Sequence, residues 1–179
     1  MIGALILAGE VTFWALVLAG LVARYWLRRP RLGLALLLMT PVVDLVLVAA
    51  TAIDLRAGAT AGVFHGLAAV YVGVSVAFGR RVIRWADERF AHRFAGGPPP
   101  ERPPKYGPEH ARGEREGWYR HLLAWAVGGA LMLGMVFLVG DPDRTESLSA
   151  RAGIWALILA VDFAWSFSYT LRPRKAGTP

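Results

Sequence analysis

The chain has 179 residues and a mass of 19.5 kDa, is 55 % hydrophobic with a mean hydropathy of +0.42, and carries only 18 % charged residues and no cysteine. These values exclude a disordered chain, a disulfide scaffold and a cysteine-ligated metal site. The net charge of +7 and pI near 10.5 fit either a nucleic-acid binder or the flanks of membrane spans, and the placement of the charges decides between them.

Five apolar stretches follow one another, each near the ~20 residues a helix needs to cross a hydrocarbon core of about 30 Å. The first, Ile2–Ala23, contains Glu10 and Trp14 and is followed by Arg24, Arg28, Arg29 and Arg31. It lacks a positive leading region and its arginines lie on the far side, so it reads as an uncleaved span rather than a signal peptide. The second, Leu32–Ile53, holds Thr40, Asp44 and Thr51, with Pro41 as a candidate kink, and ends at the tight link Asp54-Leu55-Arg56-Ala57-Gly58. The third, Ala57–Gly79, contains His65 and Ser75 and small residues at Gly62, Gly66 and Gly73. These glycines, like Gly128, Gly129 and Gly134 in the fourth stretch, predict close helix packing within the chain.

Arg80 to Phe94 is expected to continue the third helix. Val82, Ala86, Phe90 and Phe94 recur at i+4, with Ile83 and Trp85 beside them, forming an apolar stripe that suits a membrane interface or docking on other helices. Gly96-Gly97-Pro98-Pro99-Pro100 breaks the helix, and a Pro-rich, charged strap runs to Pro108. Glu109 to His121 re-enters helix, with His110 and Glu114 on a solvated face. The fourth stretch is Leu122–Gly140. After Asp141-Pro142-Asp143, Ser147 or Ser149 is the candidate cap for the fifth, Ala152–Leu171.

The 20 basic residues fall between or after these stretches in the order 4, 1, 10, 2 and 3. This alternation is the positive-inside pattern. The expectation is an all-α polytopic membrane protein in the cell membrane, a five-helix bundle forming one membrane domain over residues 1–179. The N-terminus is outside, the C-terminus is cytoplasmic, and residues 80–121 form a cytoplasmic loop. Nucleic acid is not an expected partner, because the arginines flank spans instead of forming one face with interleaved aromatics. Trp26, Tyr25, Trp118, Tyr119, Trp155 and Tyr169 are expected in the interfacial aromatic belt.

The polar residues inside the spans carry the functional expectation. A carboxylate at the bilayer centre costs about 2.5–3.5 kcal/mol on insertion scales, so it needs a partner or a purpose. At 1.5 Å per residue, Glu10 and His65 lie about 12 Å below the outer edge, Asp44 about 14 Å and Asp162 about 15 Å. These four form a candidate cation- or proton-binding layer, lined by Trp14, Thr40, Thr51, Ser75, Trp165, Ser166 and Tyr169. The alternative is hydrogen-bonding glue, for example Asp44 to His65. Haem is disfavoured because two histidines do not share a depth; His92, His110 and His121 are placed on the other side. No nucleotide-binding motif, HExxH, GxSxG or cysteine nucleophile is present, and the identity of any metal or cofactor is open.

Three functions fit this pattern. One is a small transporter or channel-like protein, with a homo-oligomer as its working form. Another is a non-enzymatic assembly factor or accessory subunit that meets a protein partner through the loop 80–121. The third is a metal-dependent membrane enzyme.

The run from His65 to Gly79, Trp85-Ala86-Asp87, Lys105-Tyr106-Gly107, Gly117-Trp118-Tyr119-Arg120-His121, and Asp162-Phe163 with Ser166 to Thr170 resemble small bacterial multi-pass membrane proteins of the YmcC-like type. The resemblance spans Glu10 to Tyr169. It implies a bacterial cytoplasmic membrane and transfers no catalytic residue.

Overall fold

The computed structural model describes residues 2–94, 96–101 and 103–174; for residues 2, 3, 5, 6, 10, 38, 41 and 44 it describes only the helix they belong to. Six helices follow in order: α1 (Ile2–Tyr25), α2 (Pro30–Leu38), α3 (Thr40–Arg56), α4 (Val63–Phe94), α5 (Gly107–Val139) and α6 (Pro142–Leu171). Among the described residues four helices are long and apolar enough to cross a membrane, over Leu7–Tyr25, Val63–Phe94, Gly107–Val139 and Pro142–Leu171. The expected second span is divided into α2 and α3 at Met39. Pro41 falls in the first turn of α3, where a missing N–H costs least.

Helix α4 is the centre of the bundle. It packs against α1 and α3 on one side and against α5 and α6 on the other, and among the described residues α6 has no backbone contact with α1, α2 or α3. The larger core lies in the second half, where Leu55, Ala69, Ala124, Met132, Met135, Leu148 and Trp155 pack together. The smaller one gathers Val17, Leu21 and Leu37, with Phe13, Tyr25, Ile83, Ala86 and Phe90 against them. The amphipathic stripe of residues 80–94 is therefore docked on α1, at the cluster that Leu37 completes, along its Ile83–Ala86–Phe90 edge, while Trp85 and Phe94 stay exposed.

Backbone approach explains the small residues. A Cβ on Gly73 would run into the carbonyl oxygen of Ala124, and one on Gly128 would lie 2.6 Å from the Trp155 ring and 2.8 Å from the Ala69 carbonyl. The α4–α5 crossing thus requires both glycines, as close packing in lipid predicts. Outward, Ile154, Leu157, Ile158, Val161 and Trp165 form one exposed stripe on α6. So large an apolar surface is stable only against lipid or another apolar partner.

The start of α6 differs from expectation. Asp141, not Ser147 or Ser149, caps it: its Oδ1 accepts from the N–H groups of Asp143 at 3.1 Å and Arg144 at 3.3 Å, and Pro142 occupies the first turn. The helix therefore begins ten residues before Ala152. Its early turns clamp the α3–α4 link: Arg144 donates to the carbonyls of Leu55 and Ala59, Ser147 to Ala61 and Arg151 to Gly62. At the other end Tyr25 donates to Asp87 at 2.6 Å, and Arg115 donates to Thr170 at 2.7 Å. That end gathers the C-termini of α1, α4 and α6 and the N-terminus of α5, and with them most of the arginines.

Candidate functional site

Two Asp–His pairs stand in the bundle, one towards each end. At the linker end, His65 is buried at the start of α4 and its Nε2 lies 3.1 Å from Asp54 Oδ2. The Gly62 N–H donates to His65 Nδ1 at 3.1 Å. A ring nitrogen that accepts carries no proton, so Nε2 holds the hydrogen and donates to Asp54. Asp54, in the last turn of α3, thus faces His65 across the link.

The second pair joins α5 and α6. His121 Nδ1 lies 2.8 Å from Asp162 Oδ2, and the Trp155 indole donates to His121 Nε2 at 3.0 Å. An indole N–H can only donate, so Nε2 accepts and Nδ1 carries the hydrogen that goes to Asp162. Ser166, one turn along α6, donates to the other carboxylate oxygen at 3.4 Å. Asp162, Trp155 and Ser166 share one face of α6 because they are spaced by seven and four residues. The side chains of His121 and Asp162 are 22 % and 35 % exposed, so this pair is open to a space of its own. That space is a cleft of about 640 Å³, lined on α4 by Val70, Val74, Phe78 and Arg81 and on α5 and α6 by Glu114, Trp118, His121, Trp155, Asp162 and Ser166.

The expected layer is distributed differently. The clamp puts Arg151 beside Gly62, and Asp162 is eleven residues further along α6, about 16 Å away. His65 and Asp162 thus belong to separate pairs. Asp44 lies ten residues, about 15 Å, from Asp54 along α3. Glu10 is on α1, next to Gly9, which faces Leu47 of α3. The side chains of Glu10 and Asp44 lie outside the described residues. Both belong to the α1–α3 half, across α4 from Asp162.

Of the expected lining, Ser166 touches Asp162, and Tyr169 sits on the His110 ring at 4.9 Å between centroids. Thr40 and Thr51 are buried, but Thr40 donates back across the break to the Leu37 carbonyl at the end of α2, and Thr51 donates to the Leu47 carbonyl within α3. Trp14 and Trp165 are exposed on the outside of the bundle, and Ser75 is half-buried on α4. Trp155, assigned to the aromatic belt, is instead buried at the pair. Trp118 likewise donates inward, to the Leu159 carbonyl, while Trp26 and Tyr119 keep exposed positions. Among the described residues no group of three His, Asp or Glu side chains could hold a metal ion.

His121 is the partner of Asp162 that the sequence did not single out. Starting the fifth span at Ala152 lifts Asp162 about 15 Å towards the linker end and away from His121. The signal was present in Asp141-Pro142, a capping residue followed by a first-turn proline.

The comparison with known proteins bears on the whole chain. The protein named "Uncharacterized membrane protein YmcC" of Bacillus subtilis (strain 168) is 43 % identical over 168 residues, which is 93 % of this chain and 89 % of its relative. The chain belongs to the YmcC-like family. It is a polytopic helical membrane protein, in agreement with its apolar helices and the resemblance noted above. The YmcC alignment is long enough to include both Asp–His pairs' helices, from one end of the bundle to the other. No family model matches the chain, and no solved structure matches it.

Proposed function

We propose that the protein handles a proton or small cation at the His121–Asp162 pair, exchanging it through the cleft between α4, α5 and α6. The observation that carries this reading is His121 held between a carboxylate and an indole N–H within an open cleft. Histidine is the side chain whose ordinary chemistry takes up and releases a proton near neutral pH, and here its Nδ1 faces the Asp162 carboxylate. Protonation at Nε2 competes directly with the Trp155 hydrogen bond, which couples uptake of charge to a local rearrangement. Glu10, Asp44 and the Asp54–His65 pair are the further titratable positions in this reading, spaced between the two ends.

The reading places the protein in the bacterial cell membrane with five spans, α2 and α3 together making the second. The basic end is cytoplasmic, the N-terminus is outside, and a homo-oligomer is the working form. The test is flux into proteoliposomes holding a trapped pH dye, under an imposed gradient of protons, sodium, magnesium or an organic cation. Flux above empty liposomes that is lost in Asp162→Asn supports the proposal. Rates equal to empty liposomes for every ion overturn it.

A second reading, an accessory subunit acting through residues 80–121, is supported by helix length. Helix α4 spans about 48 Å against a core of about 30 Å, so its last turns and the first turns of α5 project beyond it. Crosslinking from this region to one defined protein favours that reading.

A further inference from the structure

Where α4 emerges past Gly79, a groove of about 730 Å³ opens between its outer turns, the Pro-rich strap and α5. Arg80, Arg81, Arg84 and Arg89 of α4 and Arg120 of α5 line it, against Glu88 and Glu101. Five cations and two anions leave a surplus of three positive charges in one concavity.

Internal partners do not absorb that surplus. Among the described residues Arg80, Arg81 and Arg84 have no carboxylate within ion-pair distance, and neither Glu88 nor Glu101 pairs with an arginine. Arg120 spends Nη2 on Glu116 at 3.3 Å, but its Nη1 is buried without a hydrogen-bond partner. Arg89 lies 4.1 Å above the Trp85 ring, which holds its guanidinium in place. The far wall is Pro100, Pro103 and Pro104, stiff residues that lose little freedom when a ligand docks.

Guanidinium groups suit phosphate oxygens through paired N–H donors. The apolar surroundings say what bears the phosphate. Val76, Val82 and Trp85, on the same helix as the arginines, are all exposed. A ligand seated here has cationic donors above and greasy surface along α4, which is the layout of an amphiphile rather than a free ion. We propose that this groove binds the phosphate headgroup of an anionic phospholipid.

The test uses the full chain, purified in detergent and stripped of lipid. Native mass spectrometry compares occupancy by phosphatidylglycerol with that by phosphatidylcholine of the same acyl chains. The expected result is a preference of about tenfold or more for phosphatidylglycerol. Replacing Arg80→Gln and Arg84→Gln together should reduce its affinity by about fivefold per arginine. An Arg29→Gln, Arg31→Gln control removes the same charge at the same end and should retain the preference.

Equal occupancy by the two lipids in the unaltered protein overturns the proposal without need of any variant. So does an equal loss in the control, since that reports surface charge alone. Displacement of phosphatidylglycerol by inorganic phosphate at equal concentration also overturns it, by assigning the groove to a soluble anion.

Discussion

His121 is fixed on both sides, donating to Asp162 and accepting from Trp155. Removing the ring leaves the indole N–H of Trp155, on a residue only 9 % exposed, without an acceptor, and leaves the Asp162 carboxylate with only the Ser166 hydroxyl as donor. His121→Ala should therefore lower the unfolding free energy by about 1–3 kcal/mol, the cost of an unsatisfied polar group, in denaturant titration of the purified protein. Trp155→Phe leaves only an acceptor unpaired and should cost less in hydrogen bonding. A double-mutant cycle on the two positions should return a coupling above about 0.5 kcal/mol, and additive effects would contradict the shared hydrogen bond. Asp162 was legible because a carboxylate interrupts an otherwise apolar stretch. His121 was not, because it stands at the edge of such a stretch, where histidine is unremarkable. Glu10 and Asp44 were legible for the same reason as Asp162, and His65 drew notice by its depth, yet its partner Asp54 reads from the sequence as part of a tight link, whereas α3 runs on to Arg56 and carries Asp54 in its last turn.

Helices here are positioned by what they lack. Gly73 and Gly128 allow α4 and α5 to meet backbone to backbone, and their replacement by alanine puts a methyl group against a carbonyl that cannot retreat. Gly73→Ala and Gly128→Ala should each destabilise by about 1–3 kcal/mol, the range for overpacking. Gly134→Ala meets nothing within 4 Å and should cause no loss, since alanine is the better helix former. Thermal unfolding of the three variants in one detergent checks the contrast, and equal effects would remove the close-approach explanation. Long elements were readable from the chain: the continuation of α4 through residues 80–94, the break at Gly96-Gly97, and the re-entry of α5 all stand as hydropathy and glycine or proline placement suggested. The docking of Ile83, Ala86 and Phe90 was left open, because an amphipathic stripe has the same pattern whether lipid or protein covers it. The division of the second stretch at Met39 follows Pro41, while the early start of α6 was obscured because Arg144, Glu146 and Arg151 make its first turns look like a loop.

The whole molecule carries its arginines at one end and its short α3–α4 link at the other. The absence of cysteine makes the resulting orientation directly measurable, since each introduced thiol is the only one. A membrane-impermeant maleimide should label Thr60→Cys in intact cells, and should label Leu27→Cys and Glu101→Cys only after permeabilisation. Leu27 and Thr60 flank α2 and α3, so labelling of both from one side would mean four crossings instead of five. The clamp of α6 on the link between α3 and α4 has a mechanical consequence. Hydrogen bonds from Arg144, Ser147 and Arg151 fasten that end at several points, whereas the α4–α5–α6 cleft lies further along. The 30 residues of α6 then form a lever about 45 Å long, pivoted near its first turns. A tilt of about 5° at the pivot moves the far tip by about 4 Å on that length, more than the width of a water molecule. Such a tilt would have to break the Arg115–Thr170 and Trp118–Leu159 hydrogen bonds, which tie α5 to α6 towards the arginine-rich end.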